Sequence, residues 1–153
     1  MKYPDYLSSA KRHNHACRVL NEKIEIIIDN ELDTDDYKFL VGSLYYLTGY
    51  IIECSLKFKI FELSNFGKEF EVNDTECNKV GINYRKQIKT HDFSKLQNSL
   101  DSLIGDMNHL SDDEEINALL RSWSPEVRYS NIAFDYSKVK ELYKHTNKFL
   151  KKM

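Results

Sequence analysis

Between positions 46 and 57 the chain places Tyr46, Tyr50, Glu53 and Lys57 at steps of four, three and four. In an α-helix that spacing stacks side chains on one face. Two phenols, a carboxylate and an ammonium therefore share one stripe. Other ionisable residues could complete a site: Arg12 and His13 near the N-terminus, His91 and Asp92 at the start of a helix, and Arg128 beside Tyr129 after Pro125. Arginine offers a planar fork of donors that suits phosphate, and histidine is the side chain that exchanges protons near neutral pH. Such a set could cleave RNA without a metal, a base taking the 2′-hydroxyl proton while a cation stabilises the charge that builds on the phosphoryl group. On this reading His91, Arg128, Glu53 and Lys57 are the candidate catalytic residues. Arg12, His13, Tyr50, Asp92 and Tyr129 are the candidate binding residues. A plainer reading of the same residues is a helix-stabilising Glu53–Lys57 pair flanked by half-buried tyrosines.

Other chemistries find less support. A carboxylate-bridged metal bundle wants Glu-x-x-His on two helices, which does not occur, and His13 and His15 would point to different sides of their helix. None of the glycine-rich phosphate loops or nucleophile elbows is present. Cys17, Cys54 and Cys77 form no C-x-x-C pair, and an odd thiol count fits neither a disulfide framework nor a zinc knuckle. Cys17 and Cys54 fall on apolar stripes and are expected to be core thiols. No metal or cofactor is expected.

The elements that must position these residues are helical. Leu7, Ala10, Cys17, Leu20, Ile24 and Ile27 recur at helical steps and predict a helix over about residues 5–29. Leu40, Leu44, Leu47, Ile51, Cys54, Phe58 and Phe61 form a heptad-like seam, predicting a long central helix over about 36–62. Residues 63–90 lose the period and gather Gly, Asn and Asp, which reads as a long connection with room for one short element. A third helix carries Phe93, Leu96, Leu100 and Leu103, capped by His91 or Asp92. Ser111 and Glu114 have capping-box spacing ahead of a short fourth helix over about 112–122. Pro125 stops it, and Val139, Leu142, Tyr143, Thr146, Phe149 and Leu150 predict a last helix from Tyr136 to about residue 151. The fold class expected is all-α, an antiparallel up-and-down bundle of four to five helices in a single domain over 1–153.

Composition agrees. In 153 residues, 41% hydrophobic content can build a core, and only 5 Gly and 2 Pro leave few breakers for a turn-dense β fold. The net charge of −2 argues against a uniformly basic nucleic-acid coat. It conceals an acidic segment at Asp101, Asp106 and Asp112 to Glu115. Basic strips face it, one from Lys79 to Lys95 and one from Lys138 to Lys152. The N-terminal residues lack the apolar run of a signal peptide, and Glu53, Lys57 and Lys59 interrupt the longest apolar stretch. The expectation is a cytoplasmic protein with no membrane partner.

Several of these segments resemble one family. AKRHNHACRVL in the first helix, YYLTGYIIECSLKFKI in the second, THDFSKL at the third and WSPEVRY before the last are similar, in order, to the HEPN superfamily of small helical domains in prokaryotic toxin, abortive-infection and nucleotidyltransferase-linked systems. The second segment is the most specific, resembling that family's Tyr-Leu-x-Gly-Tyr-x-x-Glu-x-x-Leu-Lys run. The resemblance implies a homodimer or a tight complex with a cognate protein and, in active members, metal-independent endoribonuclease activity. It also exposes a departure. Active members carry an Arg, four to six intervening residues and then His near the start of the last helix, whereas Ala133, Phe134 and Asp135 stand at those places after Arg128. A literal Arg-to-His spacing occurs instead at Arg85 and His91. Two readings stay open, a divergent ribonuclease or RNA- or nucleotide-binding protein, and a non-catalytic partner module that binds a nucleotidyltransferase or another protein.

Overall fold

The computed structural model of the chain describes residues 1–31 and 35–153. Six α-helices stand among them: α1 (Pro4–Asp29), α2 (Asp35–Leu63), α3 (Asp74–Lys79), α4 (Phe93–Asp101), α5 (Glu114–Ser122) and α6 (Tyr136–Leu150). A π-turn (Tyr84–Ile88) precedes α4 and a 3-10 turn (Pro125–Tyr129) follows α5. The only extended pairing among the described residues is an isolated bridge, Lys2 to Glu71. The fold is an all-α bundle.

Local chemistry starts several of the helices. Pro4 sits in the first turn of α1, where its missing N–H leaves no bond unmade. Asp92 caps α4 by accepting from the backbone N–H groups of Ser94 and Lys95, and Asp135 caps α6 by accepting from those of Ser137 and Lys138. The start of α5 differs from the capping box expected at Ser111. Asp113 is the cap, accepting from the Glu115 N–H, while the Ser111 hydroxyl accepts from the Asp113 N–H one step earlier. Leu103 lies beyond the end of α4 and is exposed.

α2 is the axis of the bundle, packed against α1, α4 and α6. Every residue from Ile51 to Phe58 is buried, because neighbours cover all sides of the helix there. The seam is thus one stripe of a helix enclosed all round, and two of its members, Leu40 and Leu47, are only partly buried. α1 runs antiparallel to α2: Tyr3 packs on Phe58 and Phe61 at one end, and Cys17 lies against Leu44 and Thr48 farther along. α6 starts at the other end, where the Tyr136 hydroxyl lies 2.9 Å from Asn21 Oδ1 and 3.1 Å from Glu25 Oε1 of α1, its one proton shared between them. By length and composition α2 could cross a bilayer, but 61% of its apolar window is buried within the protein.

The stretch over 63–90 holds more structure than its composition suggests. α3 and the π-turn lie in it, and Phe66, Cys77, Ile82 and Ile88 reach the core. Gly81 ends α3 at φ +78°, letting the Ile82 N–H bond the Cys77 carbonyl and its own N–H bond that of Asn78. This is a reversal that glycine makes without Cβ strain.

Gly49 has a different role. A Cβ there would fall 2.0 Å from Cε2 of Trp123, so the indole lies directly against the α2 backbone. Its N–H donates to the Tyr46 carbonyl at 3.1 Å, and one ring face stacks on Phe93 with centroids 4.9 Å apart. Gly49→Ala is therefore expected to lower stability by about 2 kcal/mol or more through overpacking, read as a lower urea midpoint. A midpoint equal to wild type would show that the notch tolerates a side chain.

Candidate active site

The stripe on α2 meets the start of α4. Glu53 is 4% exposed and Lys57 6%. The Lys57 ammonium donates to Glu53 Oε1 at 2.7 Å, and His91 Nδ1 lies 2.7 Å from Glu53 Oε2. A carboxylate that already takes an ammonium on one oxygen is an acceptor only, so His91 donates Nδ1–H to it. His91 itself is just over half exposed. Its backbone position follows from the Asp92 cap, which fixes where α4 begins. The arrangement is a buried carboxylate orienting an accessible imidazole, whose Nε2 is left for other chemistry.

Aromatic rings surround the triad. Tyr50, one turn before Glu53, lies against His13 of α1 at 5.7 Å between centroids, Tyr46 at 5.1 Å, His91 at 6.3 Å and Trp123 at 5.1 Å. Lys57 lies over the Tyr6 ring at 5.8 Å. Burial raises both the Tyr6 and Tyr50 phenols, Tyr50 with a further push from Tyr46, so both stay neutral at physiological pH. Burial, with the charge of Arg12, lowers the His13 pKa, while Glu53 opposes the shift. The 3-10 turn brings in Arg128, whose guanidinium donates to the Tyr46 hydroxyl at 3.3 Å and stacks over Tyr129 at 4.6 Å. An unbroken contact path thus runs from Arg128 through Tyr46 and Tyr50 to His91 and Glu53.

Not every residue singled out in the sequence joins it. Arg85 pairs with Asp74 at 3.0 Å, so the Arg85–His91 spacing does not assemble into a shared centre. The Asp92 carboxylate is occupied as the α4 cap, with Lys95 at 3.8 Å. Arg12 is exposed and donates to the Ser9 hydroxyl. The basic strips are partly neutralised as well: Lys79 pairs with Glu76, Lys138 with Glu115, Lys140 with Glu25 and Lys144 with Glu141.

Sequence reasoning missed three contributors. Trp123, the single tryptophan and the first residue of the WSPEVRY segment, closes the aromatic layer although it was not among the candidate site residues. Glu126, on the 3-10 turn, has a pKa lowered mainly by the Ser124 hydroxyl and its own backbone, with smaller effects from His91 and Arg128. His109 is buried behind Phe93, in a segment with no periodicity to mark it. Among the described residues, no group of three or more His, Cys, Asp or Glu side chains is placed to hold a metal ion. Burial pushes the Cys17 and Cys54 thiols up to about 12 and also raises Cys77, which suits inert packing better than nucleophilic work. Compared with family models, with curated proteins and with solved structures, the chain has no match in any of the three.

Two outcomes test this geometry. Lys57→Met should destabilise the protein by about 3 kcal/mol, because it leaves Glu53 buried without its ammonium, and adding Glu53→Gln should restore most of that loss. Denaturant midpoints of the single and double variants read the difference; equal midpoints for both would contradict the buried pair. His109 supplies the second. Burial, with His145 adding to it, lowers its pKa to about 4 against an ordinary value of 6.5. The unfolded chain therefore binds the extra proton first, and stability should fall as pH drops from about 6.5 to 4, by about 3 kcal/mol in total. Urea midpoints across that range should show a slope that His109→Gln flattens.

Proposed function

We propose that this chain is a HEPN-like RNA-binding protein of a prokaryotic defence or toxin–antitoxin system, acting as a divergent metal-independent endoribonuclease. The observation that carries the reading is the buried Glu53 carboxylate holding Nδ1 of the accessible His91, with Arg128 at the end of the same aromatic path. In the reaction, His91 Nε2 takes the proton of a ribose 2′-hydroxyl. The freed oxygen attacks the neighbouring phosphorus and the bond to the 5′-oxygen breaks; that oxygen takes a proton from water and the His91 imidazolium returns its own to solvent, giving a 2′,3′-cyclic phosphate and a 5′-hydroxyl. Arg128 contributes donors to the charge gathering on the phosphoryl oxygens. Lys57 occupies the other Glu53 oxygen and so holds the carboxylate that sets the imidazole tautomer. The imidazole that active family members place after the arginine is supplied here from the start of α4, and a homodimer is the assembly the resemblance implies.

A second reading, a non-catalytic helical module bound to a cognate protein, is favoured by one observation. Phe39, Tyr129 and Ile132 are all more than 60% exposed, and Phe39 and Ile132 line a shallow groove that also includes Arg128. Such an apolar edge suits a protein partner.

Incubation of the purified protein with RNA in EDTA separates the two. Wild type should cleave; Arg128→Ala should cut the rate by about a hundredfold with its melting temperature unchanged, and His91→Asn, whose amide can still donate to Glu53 but carries no base nitrogen, should cut it as much. No cleavage and no salt-sensitive RNA binding by wild type would overturn the nuclease reading.

A further inference from the structure

Beside His91 a cleft of about 620 Å³ opens between the start of α4 and the segment from His109 to Glu126. That volume is in the range of small-molecule sites, roughly 300–1,000 Å³. Leu110, Leu120 and Pro125 supply apolar wall, and the polar groups that reach it are mostly engaged elsewhere. Arg121 is ion-paired to Glu114, Asp92 caps α4, and the Trp123 N–H is spent on Tyr46.

His109 and Glu126 are different. The His109 backbone N–H and Nδ1 both meet Gln97 Oε1, at 3.0 and 2.7 Å. Gln97 Nε2 donates to Asp101 and to the Met107 carbonyl, which fixes the amide with its oxygen toward the imidazole. Nδ1 therefore carries the ring proton. Nε2 is left as a lone pair, with no hydrogen-bond partner among the described residues. Burial lowers the His109 pKa to about 4, so the ring stays neutral at pH 7. Glu126 is exposed; hydrogen bonds from the Ser124 hydroxyl and its own backbone hold its pKa down, and the carboxylate keeps further lone pairs open to solvent. The cleft thus presents two acceptors on an apolar surface, next to the imidazole assigned to proton transfer. Its ligand must bring the donors.

Resting on the reading of the His91–Arg128 cluster as an RNA site, we infer that this cleft takes the base adjoining the scissile phosphate and selects one with an N–H donor edge, guanine above all. Guanine carries N1–H and N2–H side by side, a pair that matches both oxygens of one carboxylate, and its second N2 hydrogen remains for an acceptor such as an imidazole nitrogen. Adenine and cytosine offer one amino group each. Uracil offers a single N–H between two carbonyls, whose lone pairs would face the carboxylate.

Trp123 is the protein's only tryptophan and lines the cleft, so its fluorescence reports occupancy. Titration with GMP, AMP, CMP and UMP should show GMP binding at least about tenfold tighter than UMP. Glu126→Gln, which replaces one acceptor oxygen by a donor at an exposed position, should erase that preference without lowering the melting temperature. Equal affinities for GMP and UMP, no fluorescence response to any of the four, or a Glu126→Gln protein that keeps the preference would each overturn the inference. Should RNA still be cleaved in EDTA in a His91-dependent way, that failure belongs to the cleft alone. GMP selectivity in a protein that neither cuts nor binds RNA would support the cleft while removing the nuclease reading.

Discussion

The structure depends on satisfying one charge. Glu53 sits on the most enclosed stretch of the central helix, where an ionised carboxylate without partners would cost several kcal/mol. One oxygen is satisfied from its own helix by Lys57, four residues on, and the other from a separate element by His91. The second bond is the consequential one. It ties the start of α4 to the middle of α2, and Phe93, two residues after His91, then stacks on Trp123. Trp123 in turn fits the space left by Gly49 and bonds the Tyr46 carbonyl. From there the chain has only the 3-10 turn to travel before Arg128 reaches the Tyr46 hydroxyl.

Much of this was legible in the sequence, in the parts governed by local rules. Helical periodicity places the five longer helices within a residue or two of where they stand, and the four-three-four spacing identifies the polar stripe on α2. The Asp92 cap is equally local. What escaped were features decided by distant contacts. The seam on α2 marked one face of a helix that is covered on all of them, because periodicity reports the apolar stripe and not how many neighbours surround it. Arg85 and His91 match a motif by count, yet Asp74 takes Arg85, a choice of partner that spacing does not encode. Gly49 and Trp123 are 74 positions apart in the chain and carry no joint signature. His109, in a segment without period, became visible only through Gln97.

The near-neutral net charge conceals a strongly local electrostatic pattern. Several of the lysines that could form a continuous basic strip are paired with nearby acids, α6 with α1 and α5 among them. Any polyanion must then be met at a small number of places, and recognition shifts from diffuse attraction toward particular side chains. The Arg128 guanidinium on its tyrosine shelf supplies cationic donors, while His109 and Glu126 supply acceptors in the adjoining cleft. That division between a donor end and an acceptor end is what an anionic backbone with a donor-bearing base attached to it would require.

Nitrogen-15 NMR of the imidazole rings at neutral pH tests the central claim most directly. If the buried Glu53 carboxylate orients His91 as described, the neutral His91 ring will show a protonated Nδ1 and an unprotonated Nε2, and Glu53→Gln will shift it toward the Nε2–H form that free histidine favours. An Nε2–H tautomer in the wild-type protein, unchanged by that substitution, would contradict the account, since Nδ1 would then have no proton to give Glu53 and Nε2 no lone pair with which to accept one.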